Sequence, residues 1–378
     1  MERKRLFYID NLRLLMIVFV VIQHLAVTYS GMGSWYYMDE RPLGIISTAA
    51  FGFYQSFTQG YFMGFLFLIA GYFIPGAYDK KGFGKYTKDR FIRLLLPALF
   101  YMLIINPLIL YFELGVYWLS PKPGFLEFFG RYITSTDVLA GSGPLWFVIA
   151  LFIFSVLYGL FRLVRKPRTE RWQSVSPRTS NILLLIMLVG AFAFLIRTVQ
   201  PIGTSVFNMQ LCYFAQYIVL FIVGIVAYRS DLFSKISFKA GKRWLFTAIV
   251  PGFIAWSAIM LFCGALEGNE NYNGGFTWES AAYALWEAFT AVAVSVGLIA
   301  IFREKCNAQS RLIKTLSDNA FAVYVFHAPI IIAVAQLFGP IHWLPIVKFA
   351  LMVVVCLPLC FAATHFVFRR IPLLKKIL

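Results

Sequence analysis

Residues 13–24 read RLLMIVFVVIQH, so an arginine and a histidine enclose ten residues that are almost all apolar. Eleven helical steps of about 100° return nearly to the starting face, and eleven rises of 1.5 Å give roughly 16 Å. Arg13 and His24 therefore share one face of a predicted membrane-spanning helix, with Arg13 at the cytosolic edge and His24 about halfway across. Arginine's planar fork suits a carboxylate or phosphate, and a neutral imidazole can accept a proton. The alternative is a snorkelling arginine and a histidine that hydrogen-bonds a neighbouring helix.

The rest of the chain has the composition of a membrane protein. Of its 378 residues, 60% are hydrophobic and 13% are charged, with a mean hydropathy of +0.74. A soluble chain of this length needs far more polar surface, whereas an apolar run of about 20 residues crosses a bilayer. The sequence predicts an all-α, polytopic bundle of about ten transmembrane helices, at 12–29, 46–75, 94–112, 144–161, 181–198, 209–228, 244–264, 279–302, 319–338 and 345–368.

The formal charge of +17 is a topology signal. With both termini in the cytoplasm, the predicted inner segments contain twenty-nine of the 34 lysines and arginines. Only Arg41, Lys122, Arg131, Arg197 and Lys348 fall on the outer side. This asymmetry follows the positive-inside rule, so we predict no nucleic-acid partner. Attraction of anionic lipids or of an anionic cytosolic substrate stays open.

The chain is predicted to form one transmembrane domain over residues 1–378, with no appended soluble domain. The first apolar segment is similar to a secretory signal, but we interpret it as a retained helix, because nine spans would reverse the charge asymmetry. The five cysteines have neither metal-ligand spacing nor paired outer positions. The sequence therefore predicts no metal site and no disulfide.

Ionisable side chains within the spans are functional candidates, because placing them in hydrocarbon is costly. His327 lies in the ninth span at a depth near that of His24, and Tyr324 comes three residues earlier. Two histidines at this depth indicate a polar chamber. Arg197, at the outer end of the fifth span, could pair with Glu287 in the eighth. Each of these residues also has a structural interpretation, as a hydrogen-bonding group between helices.

A basic cluster precedes the third span, in KYTKDRFIRLLLP (85–97). Lys88, Arg90 and Arg93 can serve simply as topology markers. A phosphate-rich ligand that enters from the cytosol would nevertheless meet these three side chains first.

Five short motifs follow one another along the predicted spans. They are YIDNLRLLMIVFVVIQH (8–24), FMGFLFLIAGYF (62–73), DRFIRLLLP (89–97), GPLWFVIALFIF (143–154) and YVFHAPI (324–330). In this order they resemble the acyltransferase-3 family of membrane acyltransferases, over essentially all ten spans. The C-terminal RIPLLKKIL (370–378), the N-A-x3-Y-x2-H pattern at 319–327 and the lack of a fused hydrolase-like domain resemble the branch that succinylates periplasmic glucans.

The resemblance implies a multi-pass O-acyltransferase of the bacterial inner membrane. Its co-substrate would be cytosolic acyl-CoA, either succinyl-CoA or acetyl-CoA, with no permanently bound cofactor. The acceptor would be a hydroxyl of an extracytoplasmic carbohydrate such as a periplasmic glucan. Arg13, Lys88, Arg90 and Arg93 would hold the phosphates of CoA, and His24 would act as general base or transient acyl carrier.

The same resemblance places the remaining candidates around the substrates. Arg13 and His327 join His24 as catalytic candidates, and the substrate-side candidates are Asp10, Trp146, Tyr324, Glu287 and Arg197. The alternative function is a proton-coupled transporter or flippase. Transporters of that kind often contain inverted repeats and paired broken helices, which the sequence lacks.

Overall fold

The computed structural model describes residues 5–39, 41–117, 123–165 and 175–375, and this part of the chain is helical without a β-strand. The predicted all-α fold is confirmed. The helices are α1 (Phe7–Ser30), α2 (Ile45–Gln59), α3 (Phe62–Arg90), α4 (Leu96–Phe100), α5 (Asn106–Tyr117), α6 (Phe125–Thr134), α7 (Asp137–Ala140), α8 (Trp146–Val164), α9 (Thr179–Arg197), α10 (Phe214–Ser230), α11 (Leu232–Lys235), α12 (Phe238–Phe262), α13 (Trp278–Lys305), α14 (Arg311–Leu337), α15 (Pro345–Phe366) and α16 (Pro372–Lys375). Two π-helical turns, Phe91–Leu95 and Tyr101–Ile105, flank α4.

Nine helical stretches in the described residues are long and apolar enough to span a membrane. One of them, Ile45–Glu113, has 69 residues, which exceeds the length that a single crossing of ~30 Å requires. Gly82, with φ +69°, breaks α3 and divides that stretch into two crossings. The bundle thus has about ten spans, as predicted, and the protein is a multi-pass membrane protein.

The second predicted span, 46–75, has the wrong boundaries. It contains two separate helices, because α2 ends at Gln59 and α3 begins at Phe62. Apolar residues continue through both helices, so hydropathy alone does not reveal the interruption at Gly60. The connection between the predicted spans 94–112 and 144–161 likewise contains two further helices, α6 and α7.

Local capping defines several of the other helix ends. Ser237, Thr277 and Ser310 each accept a hydrogen bond from a backbone N–H in the first turn of the helix that follows. Gly31 ends α1 in the left-handed conformation that favours glycine. These caps satisfy backbone groups that hydrocarbon cannot.

Ion pairs show which ends of the spans lie together. Asp79 lies just before the break at Gly82, where the first crossing of α3 ends. It contacts Arg162 of α8 and Arg229 of α10, each at 2.8 Å. Arg5, just before α1, lies 3.6 Å from Asp318 in α14. We call this the inner end, since the first and last described residues, Arg5 and Lys375, belong to it. The opposite outer end is formed by the connections at 31–44, 123–142, 198–210, 263–277 and 338–344.

Helices α3 and α10 pack backbone against backbone. A Cβ on Gly71 would lie 2.2 Å from the carbonyl oxygen of Phe221, and a Cβ on Gly224 would lie 2.1 Å from that of Leu68. Only glycine permits this approach, which is a common basis of helix association in membranes. The contact fixes α10 beside the region that contains the candidate site.

Candidate functional site

A cavity of about 1320 Å³ occupies the outer half of the bundle. Its wall is rich in aromatic, amide and hydroxyl side chains, and its rim includes the exposed Leu261 and Leu266. We call this cavity the chamber. Among the polar and aromatic residues that line it are Gln23, His24, Trp35, Tyr36, Gln55, Gln59, Asn106, Glu113, Asp137, Trp146, Asn208, Tyr213, Tyr217, Trp256, Tyr283 and Tyr324.

The two histidines predicted to share a depth are in contact. Nε2 of His327 lies 3.0 Å from Nδ1 of His24, and the His327 side chain is fully buried behind the ring that faces the chamber. His24 lies six residues before Ser30, or about 9 Å from the outer end of the helix.

The hydrogen bonds of the pair fix the tautomer of both neutral rings. Nδ1 of His327 lies 2.8 Å from the carbonyl oxygen of Tyr324, which can only accept, so this nitrogen carries the proton. Nε2 of His327 is then an acceptor, and Nδ1 of His24 must donate to it. Nε2 of His24 therefore keeps its lone pair, which makes it a base on the chamber side.

An indole ring covers His24. The rings of Trp35 and His24 stack with centroids 4.0 Å apart and an interplanar angle of 25°. An aromatic face attracts a cation, so this contact stabilises the imidazolium that forms when His24 accepts a proton. Trp35 thus packs directly on the candidate base.

Buried charges hold the loop that carries Trp35. Asp39 accepts a hydrogen bond from Lys348, whose side chain is 1% exposed. It accepts a second one from Arg41 at 2.9 Å. Arg41 also donates to the carbonyl oxygen of Gly339 at 3.0 Å. The loop is consequently attached to the connection between α14 and α15. This connection directly follows α14, the helix that contains His327.

A second network joins this loop to α5. The hydroxyl of Tyr36 donates to Oδ1 of Asn106 at 2.6 Å, and Nδ2 of Asn106 donates to the hydroxyl of Tyr132 at 3.1 Å. Burial raises the pKa of Tyr36, so its hydroxyl stays protonated and able to donate. Tyr36 and Asn106 thus form a hydrogen-bonded part of the chamber wall.

Trp146 and Tyr324, two of the predicted site residues, line the chamber. Trp146 stacks on Tyr217 with centroids 5.6 Å apart. Tyr324 donates a hydrogen bond to the carbonyl oxygen of Pro144. The Gly-Pro turn before α8 is thereby fixed to the helix that carries His327.

Arg197 and Glu287 lie behind the chamber wall rather than on it. They form a buried ion pair at 2.7 Å, with side chains 0% and 4% exposed. The Arg197 guanidinium lies 5.6 Å from the ring centroids of Tyr213 and Tyr283, which do line the chamber. The ion pair therefore packs against the rings of Tyr213 and Tyr283 from outside the chamber.

The remaining predicted site residues lie toward the inner end. Arg13 is 53% exposed and lies 3.7 Å from Asp10, and neither residue lines the chamber. The chamber reaches down α1 only to Val20, seven residues or about 10 Å from Arg13. The chamber wall also does not include the three basic candidates at the end of α3. Lys88 and Arg90 belong to its last turn, and Arg93 belongs to the π-helical turn that follows.

Sequence reasoning missed Trp35, Glu113, Asp137 and the chamber amides. Gln55 and Gln59, four residues apart in an apolar segment, gave a usable signal, because amides in hydrocarbon need partners. Trp35 gave none, since its position depends on contacts of its loop with distant helices. In the described residues, no group of three or more His, Cys, Asp or Glu side chains could hold a metal ion.

A family model described as an acyltransferase domain matches residues 6–365 of this chain. The chain belongs to the acyltransferase-3 family. Searches of curated proteins and of solved structures found no match. This acyltransferase-3 protein is thus a multi-pass membrane acyltransferase in which His24, in contact with the buried His327, lines a large outer chamber.

Proposed function

We propose that this protein transfers a succinyl or acetyl group from cytosolic acyl-CoA to a hydroxyl of an extracytoplasmic carbohydrate, such as a periplasmic glucan. The observation that carries the proposal is the hydrogen-bonded His24–His327 pair beside a chamber with stacked aromatic rings and amides, because this pairing leaves Nε2 of His24 free to accept a proton. Such walls suit the apolar faces and hydroxyls of sugars. Placement in the bacterial inner membrane is part of the proposal.

In the proposed reaction, Nε2 of His24 takes the proton of the acceptor hydroxyl. The hydroxyl oxygen forms a bond to the thioester carbon, and the carbon–sulfur bond breaks. The proton then passes from His24 to the thiolate, which yields an ester and free CoA. In a variant of this scheme, His24 carries the acyl group transiently before the acceptor arrives.

The donor would approach from the inner end. Arg13, Lys88, Arg90 and Arg93 provide permanent or strong positive charge there, which suits the phosphates of CoA. The pantetheine arm would follow the Arg13–His24 face of α1. Because the chamber stops at Val20, binding of acyl-CoA must separate the packing between Val20 and Arg13.

The decisive experiment compares cell-envelope glycans with and without the gene by mass spectrometry. We expect an ester-linked succinyl or acetyl group that disappears from one glycan when the gene is deleted and returns when it is restored. Unchanged glycan acylation would overturn the proposal.

Purified protein in proteoliposomes separates the enzyme from the transporter. Acyl-CoA offered on the inner-end side, with a glucan oligosaccharide on the other side, should yield free CoA and acylated sugar in equal amounts. Sugar movement without thioester cleavage would favour the proton-coupled transporter.

A further inference from the structure

Among the described residues, the chamber wall carries two acidic side chains but no lysine or arginine. Glu113 of α5 and Asp137 of α7 both line it. Within the described ranges, no lysine or arginine contributes to the lining, and its other polar groups are amides, hydroxyls and His24. Glu113 accepts a hydrogen bond from the amide of Gln336, which brings it no positive charge.

The basic residues of the outer end are already paired. Each of the four that the structure describes lies within 4 Å of a carboxylate: Arg41 and Lys348 of Asp39, Arg131 of Glu127, and Arg197 of Glu287. Lys122 lies outside the described residues. None of these four cations is therefore left to neutralise Glu113 or Asp137, or to bind an anionic ligand.

An anion in this chamber would meet two unfavourable conditions. The anion would lose its hydration when it enters the chamber, and no cation there would pair with it. This desolvation is costly in a partly buried site. The anion would also approach Asp137 and, in its ionised form, Glu113, and like charges at a binding surface discriminate against the wrong partner. A neutral sugar meets neither condition and gains stacking against Trp35, Trp146 and Trp256.

We propose that Glu113 and Asp137 make the chamber prefer an electrically neutral acceptor segment over acceptor segments that carry carboxylates or phosphates before transfer. This inference rests on the proposed function, since it assigns the chamber to the acceptor. The cavity of about 1320 Å³ exceeds the usual ~300–1,000 Å³ of small-molecule pockets, so the segment comprises several sugar units.

Binding of two matched oligosaccharides tests the inference without acyl-CoA. Fluorescence of the three wall tryptophans reports binding of cellopentaose and of the corresponding penta-β-1,4-glucuronate, which differ only in the carboxylates. We expect the unmodified protein to bind cellopentaose at least about tenfold more tightly, which corresponds to about 1.4 kcal/mol. The Glu113→Gln, Asp137→Asn double variant should reduce this ratio at least about threefold, because like-charge repulsion is removed.

The control removes two charges from the same end of the protein without touching the wall. Glu267→Gln with Glu270→Gln changes an exposed loop beside the rim and should leave the binding ratio unchanged. Equal affinity for both sugars, binding of neither, or an unchanged ratio in the chamber variant would overturn the inference. Neutral-sugar selectivity without acyl transfer from either acyl-CoA would overturn only the proposed function.

Discussion

The outer and inner ends of this bundle differ in charge and in how that charge is arranged. At the outer end the four described basic side chains are paired with carboxylates, while Glu113 and Asp137 face the chamber without a cation. At the inner end basic residues are in excess, and several described ones, such as Arg13 and Lys88, are exposed.

This difference assigns a separate substrate chemistry to each end. A phosphate-rich donor is attracted to the inner end and repelled by the chamber, and a neutral acceptor fits the chamber. His24 lies near the boundary between the two environments. Transfer at this position would let acyl groups cross the bilayer while CoA and glycan each remain on their own side.

The largest expected effect is in cysteine labelling from outside the cell. A cysteine at the outer end should be labelled completely, and one at the inner end should not be labelled at all. Cys306 lies near the inner end, and Glu267 is exposed at the outer end. A membrane-impermeant maleimide added to the outside of intact cells should label a Glu267→Cys variant that also carries Cys306→Ser. It should not label the native Cys306 until the cells are opened. Labelling of both positions from one side would break the comparison.

Replacement of His24 should nearly abolish transfer. His24→Gln retains a hydrogen-bonding side chain but cannot take a proton, so the rate should fall about 10²–10⁴-fold. The measurement is acyl transfer per folded molecule, normalised by acyl-CoA binding. His365→Gln is the matched control, because that histidine bonds Asn319 toward the inner end and should keep full activity. Near-normal transfer by His24→Gln would remove this residue from the mechanism.

His327 should matter less than His24, because it acts through its partner. His327→Leu removes the acceptor that fixes the tautomer of His24, and we expect a loss of about 10–100-fold, as for other orienting partners. The pH dependence of turnover should change as well, since His24 loses a fixed proton position. A lower yield with an unchanged pH profile per folded molecule would indicate a purely structural role.

Arg13→Ala should give the smallest of these effects. It should weaken the binding of the donor, acyl-CoA, and leave the binding of the acceptor unchanged. Loss of one charge-assisted contact costs roughly 1.5–3 kcal/mol, so the affinity for acyl-CoA should fall about 10–100-fold. Binding of cellopentaose in the chamber should not change, because Arg13 lies below its floor. Unchanged CoA affinity combined with lost turnover would show that Arg13 orients helices.

Regular helical geometry made much of the site predictable. The continuous helix α1 places Arg13 and His24 on one face, and similar depths in two spans correctly predicted the approach of His24 to His327. The pairing of Arg197 with Glu287 followed from two charges that each needed a partner in hydrocarbon.

What the sequence could not predict depends on irregular backbone. The break at Gly60 follows only a short polar stretch, QSFTQ (55–59), with apolar residues on both sides, so hydropathy merged α2 with α3. The stacking of Trp35 on His24 requires the distant contact between Asp39 and Lys348. Asp137 belongs to a short helix in an outer connection, where no periodic pattern identifies a wall residue.

The Arg197–Glu287 pair also has a consequence for biogenesis. The two residues are 90 positions apart, and ribosomes add about 5–20 residues per second, so α9 precedes Glu287 by roughly 5–20 s. During that interval the arginine has no carboxylate partner and must stay near the lipid headgroups. The last turn of α9 can settle only when α13 inserts, which makes this step a point where membrane quality-control proteases can recognise an incomplete chain.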